Sequence, residues 1–329
     1  MSLIARSLQA YFTDRLIRER RVSPHTIRAY RNTIRLLVIF AAKRAGTSAS
    51  ALSFDDIDHK TVSAFLDHLE HDRGCSPRTR NARLAAIRSF YHYAALEHPE
   101  HAATIERVLA IPLKRTDRPL VTWLTKPELE ALLAAPDQQT WTGRRDHAMI
   151  LLAAQTGLRA SELTNVRISD IELGVGAHVQ TLGKGRRERV TPLTDTTVST
   201  LRAWLKERGG KPADPLFPTR TGATLTRDAV ARRLTKYATI AAAACPSLAI
   251  KTVTPHVLRH TAAMRLLRAK IDSSIIALWL GHAEIQTTQV YLHADLSLKQ
   301  EALAKAEPID TKPGRYQPPD PLLQFLEGL

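Results

Sequence analysis

Acidic residues are in short supply in this chain: 32 Asp and Glu stand against 47 Lys and Arg in 329 residues, a formal charge of +15. That excess favours a polyanionic partner through counterion release, although charge alone does not separate DNA from RNA or an anionic membrane. Long apolar runs are missing as well. No stretch reaches the roughly 18 apolar residues of a membrane-spanning helix, and the opening MSLIARSLQAYF lacks the layout of a secretory leader. The expectation is a soluble, cytoplasmic protein with no membrane partner. Cysteine is nearly absent: Cys75 and Cys245 lie far apart in the chain and offer neither a disulfide framework nor a metal-binding pair. His256 and His260 have the i, i+4 spacing of a zinc helix, but no HExxH acid and no third ligand accompany them, so no metal is expected. His260 reads as a helix-packing residue.

The length allows two domains, each with its own core. Residues 1–110 read as helical throughout. Ile27, Tyr30, Ile34 and Leu37 recur at helical intervals, and so do Leu84, Ile87, Tyr91 and Ala94. Each of these two helices opens on Ser-Pro, at Ser23–Pro24 and Ser76–Pro77, with serine as cap and proline in the first turn. Their polar faces are basic: Arg28, Arg31 and Arg35 in one, Arg78, Arg80, Arg83 and Arg88 in the other. Such faces are either solvated or turned toward phosphates. Residues 111–122 mix proline and charge and read as a linker. From 123 to 306 the pattern is mostly helical around two short strands. A capping box at Thr125 and Glu128 starts the first helix, a helix stops at Gly157, and further helices are expected near 194–208, 226–244, 255–270, 272–281, 284–292 and 295–306. The fold class is mainly α with a small β-sheet.

Chemistry concentrates in four strings of the second half: TGLRASEL, TLGKGRRERVTPL, TPHVLRHTAA and LGHAEIQTTQVYLH. An attack on a phosphodiester places extra negative charge on the non-bridging oxygens, which guanidinium groups meet with paired donors. Arg159 and Arg259 suit that task. A departing alkoxide needs a proton, and Lys184, at the tip of a glycine-bracketed turn between two strands, is the candidate acid. His256 and Arg259, three apart after Pro255, share a helix face. A phenol such as Tyr291 can take the phosphate covalently and conserve the ester energy, so that a strand is rejoined without a nucleotide cofactor. Taken singly, each residue has an ordinary explanation; their order and spacing together point to one site.

These strings resemble the tyrosine recombinase, or phage integrase, family, and most closely its compact Xer-type and transposon-borne members. The resemblance covers Arg159, Glu162, Lys184, His256, Arg259, His282 and Tyr291. It implies an N-terminal helical SAM-like core-binding domain that clamps DNA, and a C-terminal tyrosine-recombinase catalytic domain. It further implies that Arg159 and Arg259 grip the scissile phosphate, Lys184 protonates the 5′ oxygen, and His256 and His282 donate to phosphate or assist proton movement. Tyr291 is then the nucleophile and Glu162 an orienting group. The implied function is site-specific DNA cleavage and religation through a 3′-phosphotyrosine, without metal or other cofactor. The partners are a double-stranded recombination site, further copies of the chain in a tetrameric synapse, and a second recombinase in some systems. A type IB topoisomerase and a non-catalytic DNA-binding regulator on the same fold are the alternatives. The expectation is that no arm-binding module stands ahead of the helical domain, which disfavours a lambda-like integrase.

Residues 307–329 are proline-rich and end in Leu322, Leu323, Phe325 and Leu326. Two readings stand for this tail: a segment docking on a neighbouring protomer, or an end folding back on its own domain.

Overall fold

The structure is a computed structural model, and it describes residues 3–116, 121–182, 188–281 and Tyr291. The chain divides into two compact units, Met1–Arg118 and Pro119–Leu329.

The first unit is helical. Helix α1 (Leu3–Ala10) runs on as π-helical turns over Tyr11–Glu19, followed by α2 (Pro24–Ala45), α3 (His59–His71), α4 (Pro77–Glu97) and α5 (Ala102–Leu109). The two Ser-Pro starts fold alike: Ser23 accepts from the amide of Thr26 at 3.2 Å, and Ser76 from that of Thr79 at 3.3 Å. Each cap satisfies one of the free amides at the helix start, and proline at the next position has no amide to satisfy. Helix α4 forms the centre, burying Leu84, Ile87, Tyr91 and Ala94 against Leu37 and Ala41 of α2, Phe65 and Leu66 of α3 and Val108 of α5. The segment after α5 does not leave the unit at once. Asn81 holds Lys114 through paired bonds of 2.7 and 3.0 Å, and Arg80 donates to the carbonyl of Pro112 at 3.0 Å. The start of the expected linker is therefore bound to α4.

The second unit is mainly α with one small sheet. It contains α6 (Lys126–Ala134), α7 (Trp141–Thr156), α8 (Ala160–Asn165), β1 (Ile171–Glu172), β2 (His178–Leu182), β3 (Glu188–Pro192), α9 (Asp195–Arg208), α10 (Arg227–Ala241), α11 (Pro255–Arg268) and α12 (Ser273–Leu280). The strands form an antiparallel sheet in the order β1-β2-β3. Helix α7 is the axis of the core: Met149, Ile150, Leu152 and Ala153 are buried with Leu201 and Trp204 of α9, Leu234 of α10 and Leu258 of α11. The first turns of α7 also carry a buried charged pair. Arg145 holds Asp146 at 2.7 Å and Asp146 accepts from the hydroxyl of Tyr237 at 2.7 Å, as burial of charge requires. A separate apolar cluster joins Ala263, Met264 and Leu267 of α11 to Ile276 and Leu280 of α12 and to Tyr291. Of the helix expected over 284–292 only Tyr291 is among the described residues, and it is helical. The helix expected over 295–306 and the tail at 307–329 lie outside them. No helix among the described residues is long and apolar enough to cross a membrane.

Candidate active site

Helix α7 ends at Gly157 with φ +65°, a left-handed closure that a side chain would strain. A Cβ there would also come within 2.6 Å of Leu280 Cδ2. Two residues later Arg159 caps α8, and the Glu162 carboxylate, one turn on, accepts from its backbone amide at 2.8 Å and from its guanidinium at 2.7 Å. The TGLRASEL string thus works as a helix stop, a helix start and an ion pair. Arg159 is 28% exposed in its side chain, and its remaining arm donates to the Gly281 carbonyl at 2.8 Å.

Arg259 enters from α11, whose first turn is capped by Thr254. It is 5% exposed and donates to the carbonyls of Gly157 and Leu280, both at 2.6 Å. Two arginines that would repel each other are therefore seated on carbonyls at the C-terminal ends of α7 and α12, where the helix dipole is negative.

A third guanidinium joins them. Arg189 on β3 is buried and donates to Glu162 at 2.9 Å. The alternation of the strand puts Arg189 and Thr191 inward and leaves Val190 exposed, and the register Thr181↔Arg189 and Val179↔Thr191 sets them on the same face as the buried residues of β2. Reading RERVTPL by its apolar residues therefore misassigns the inward face. The alternation itself, counted from Val179, was the available signal.

Among the described residues, three guanidiniums face one carboxylate, so this cluster is short of negative charge. Burial alone would raise the Glu162 carboxyl, but Arg189 and Arg159 outweigh it, and the group lies below the ordinary carboxylate range. Arg259 is pushed down to about 10 by burial, then by Arg159 and Arg189. Both shifts describe a buried cationic cluster whose charge an anion would relieve.

Tyr291 is 3% exposed. Burial raises its phenol, and Arg259 and Arg159 act in the opposite direction, so both guanidiniums reach the hydroxyl electrostatically. The same hydroxyl lies 3.1 Å from Nδ1 of His260. This contact corrects the reading of His260 as a packing residue alone. The i+4 spacing from His256 had invited only a zinc comparison, while the chain separation of 31 residues hid the partner. His256 itself is exposed on the first turn of α11. The structure thus brings together Arg159, Glu162, Arg259 and Tyr291, adds Arg189 and His260, and places His256 one turn before His260. Lys184 and His282 lie outside the described residues. Among the described residues no cluster of His, Cys, Asp and Glu is arranged to hold a metal ion.

In the first unit, Arg28, Arg31, Arg35 and Arg78 are exposed and Arg83 and Arg88 half-buried. Arg80 departs from the expected basic face: it is 5% exposed and committed to the Pro112 carbonyl and to Glu70, 3.6 Å away, while Arg88 donates to the Ile111 carbonyl. Both side chains are long enough to reach back from α4 to the segment packed on it.

Comparison with known proteins identifies the family. Residues 122–297 match the phage integrase family, and residues 10–98 match the phage integrase N-terminal SAM-like domain. The chain is 51% identical over 99% of its length to 98% of a Sinorhizobium fredii protein named "Putative integrase/recombinase y4rC". It is 36% identical over 88% of its length to 91% of the tyrosine recombinase XerC of Pelobacter propionicus. Among solved structures, the XerH site-specific recombinase in a post-cleavage complex with palindromic difH substrate superposes with a TM-score of 0.69, at 24% identity, over 85% of this chain and 79% of that one. With its SAM-like helical domain followed by a mainly helical catalytic domain, the chain belongs to the phage integrase family.

Proposed function

We propose that Tyr291 attacks a DNA phosphodiester held by Arg159 and Arg259, forming a 3′-phosphotyrosine and freeing a 5′ oxygen that takes its proton from Lys184. As a family member the chain is a tyrosine-type site-specific recombinase, an enzyme that cleaves and rejoins DNA strands. Glu162 fixes the angle of Arg159, and Arg189 shares the load of that carboxylate. His256, exposed at the helix start, and His282 donate to phosphate oxygens. Because the phosphotyrosine conserves the ester energy, rejoining needs a 5′ hydroxyl and no nucleotide.

This reading is carried by the Tyr291 hydroxyl lying within the field of two guanidiniums anchored on helix-end carbonyls. In such a site the negative charge that develops on the non-bridging oxygens supplies missing counter-charge and is stabilised without reorganisation.

The substrate in this reading is double-stranded DNA carrying a specific site, with residues 1–110 and the exposed Arg28, Arg31, Arg35 and Arg78 supporting the duplex through its phosphates. Four copies act on two paired sites, each supplying one tyrosine. A second recombinase in place of two of the copies fits the same arrangement.

The test uses a site selected from random-sequence DNA by the full-length protein. A plasmid bearing two copies of that site yields recombinant circles, and a plasmid without it keeps its supercoils. Relaxation of plasmids irrespective of site, with no exchange, would instead indicate a topoisomerase.

A further inference from the structure

We propose that His260 is a catalytic residue of this enzyme, taking the Tyr291 proton through Nδ1 as the phenol oxygen attacks phosphorus. The proposal rests on the assignment of Tyr291 as nucleophile and adds the group that activates it. A phenol is a weak nucleophile until its proton has somewhere to go, and a neighbouring base within hydrogen-bond reach supplies that.

Geometry selects His260 for the task. Its Nδ1 is 3.1 Å from the hydroxyl oxygen, within the range required of a general base, and the two rings meet edge to face with centroids 5.5 Å apart. His260 follows Arg259 directly, so one turn of α11 presents a phosphate donor and a proton acceptor side by side, with their backbone positions fixed by the same helix. His256 is exposed one turn earlier on the same helix.

Charge also selects it. The groups that act on His260 are His256 and Arg259, and those that act on the phenol are Arg259 and Arg159; beyond these lie Arg189 and Glu162, which act on Arg259. Burial first, then His256 and Arg259, push the His260 imidazole down to about 4. It is therefore neutral in the physiological range, and with its ring hydrogen on Nε2 it accepts from the phenol. When a phosphodiester occupies the site, its negative charge offsets Arg259, the guanidinium that acts on His260. The imidazole then becomes a stronger base at the stage where a base is needed, and stays weak while the site is empty.

The step balances. The tyrosine O–H bond breaks and its proton passes to Nδ1; the oxygen forms a bond to phosphorus; the bond from phosphorus to the 5′ oxygen breaks, and that oxygen receives a proton from Lys184. Religation runs the sequence backwards, with the imidazolium returning its proton to the departing phenol.

The experiment is single-turnover cleavage of a nicked duplex carrying the selected site, with the full-length protein and the variants His260→Ala and His260→Asn. Asparagine keeps a polar group near the Nδ1 position but cannot accept a proton. Both variants are expected to bind the uncleaved duplex as the parent does and to form the phosphotyrosine about 10²-fold more slowly. A duplex with sulfur in place of the 5′ bridging oxygen, whose leaving group needs no proton, is expected not to restore the rate. Parental rates for His260→Asn, faster cleavage by His260→Ala, or rescue by the sulfur substrate would each overturn the proposal; they would make His260 respectively a positioning residue, a latch on the tyrosine, or part of leaving-group protonation. Absence of a Tyr291 adduct in the parent protein would overturn the assignment of the nucleophile instead, which separates the two failures.

Discussion

Arg259 donates to the carbonyl oxygen of Gly157 at 2.6 Å, so the last carbonyls of one helix fix a guanidinium carried by another 102 residues away. This seat depends on glycine. An alanine at 157 would have to adopt φ +65° and place its Cβ 2.6 Å from Leu280 Cδ2, and Leu280 provides the second carbonyl that Arg259 uses.

Gly157→Ala is therefore expected to cost about 2–4 kcal/mol, from the left-handed backbone and the overpacking together. Cleavage should fall further than stability does, because the strain is delivered to the groups that hold Arg259. Thermal unfolding and single-turnover cleavage, measured on the same preparation below its unfolding range, check this. A variant with lowered stability and unchanged cleavage would show that the Gly157 seat does not position Arg259.

Glu162→Gln tests the shared carboxylate. Removing the charge leaves Arg189 buried without its counter-ion and frees Arg159 from a 2.7 Å contact. Breaking a buried pair from one side typically costs about 3–5 kcal/mol. The expected result is a marked drop in melting temperature together with slower cleavage. Replacing Arg189 as well, in Glu162→Gln with Arg189→Met, should recover part of the stability without recovering cleavage. Double-variant unfolding no better than that of Glu162→Gln alone would count against the pairing.

His260 also gives folding a pH dependence. Its folded value of about 4 lies below the ordinary 6.5, so the unfolded chain binds a proton that the folded chain refuses. Stability is complete above about pH 6.5 and falls as the pH drops toward 4, by up to about 3 kcal/mol. Glu128 acts over a lower window. Burial would raise it, but Lys251 and Ser247 hold it at about 2, so its contribution is lost between about 4.5 and 2. Urea unfolding at pH 7 and pH 5 should show a smaller difference for His260→Asn than for the parent. Equal differences would mean that His260 is not held neutral by its surroundings.

The basic face of the first unit divides into two kinds of arginine. Arg31→Ala removes an exposed charge and should weaken DNA binding, reducing the slope of log affinity against log salt by about 1, with no change in melting temperature. Arg80→Ala should leave that slope unaltered and destabilise the unit by about 1–3 kcal/mol, since its guanidinium serves the Pro112 carbonyl and Glu70. Salt titrations of binding by both variants distinguish the roles. A reduced slope for Arg80→Ala would return that residue to the DNA-contacting set.

Much of the fold was legible because its signals are local. Ser23 and Ser76 announce their helices through a cap and a proline, and Thr125 with Glu128 does the same for α6. Gly157 and Gly281 mark helix ends that carry the left-handed closure. Arg159, Glu162, Arg259 and Tyr291 were legible as a set because their spacing repeats a family pattern. What the sequence hid is what depends on tertiary partners. Arg189 could be placed only once the strand register showed which face turns inward. Arg80 looked like its neighbours on α4 until the packed segment at 111–114 supplied its acceptors. His260 met its partner across 31 residues, which no periodicity encodes.

In the reaction proposed for this enzyme, the Tyr291 oxygen becomes joined to DNA. Full-length protein incubated with the nicked duplex should form a denaturant-resistant complex, and proteolysis followed by mass spectrometry should place the nucleotide on the peptide containing Tyr291. Tyr291→Phe should bind the same duplex and form none. An adduct that persists in Tyr291→Phe, or maps to another residue, would contradict the account.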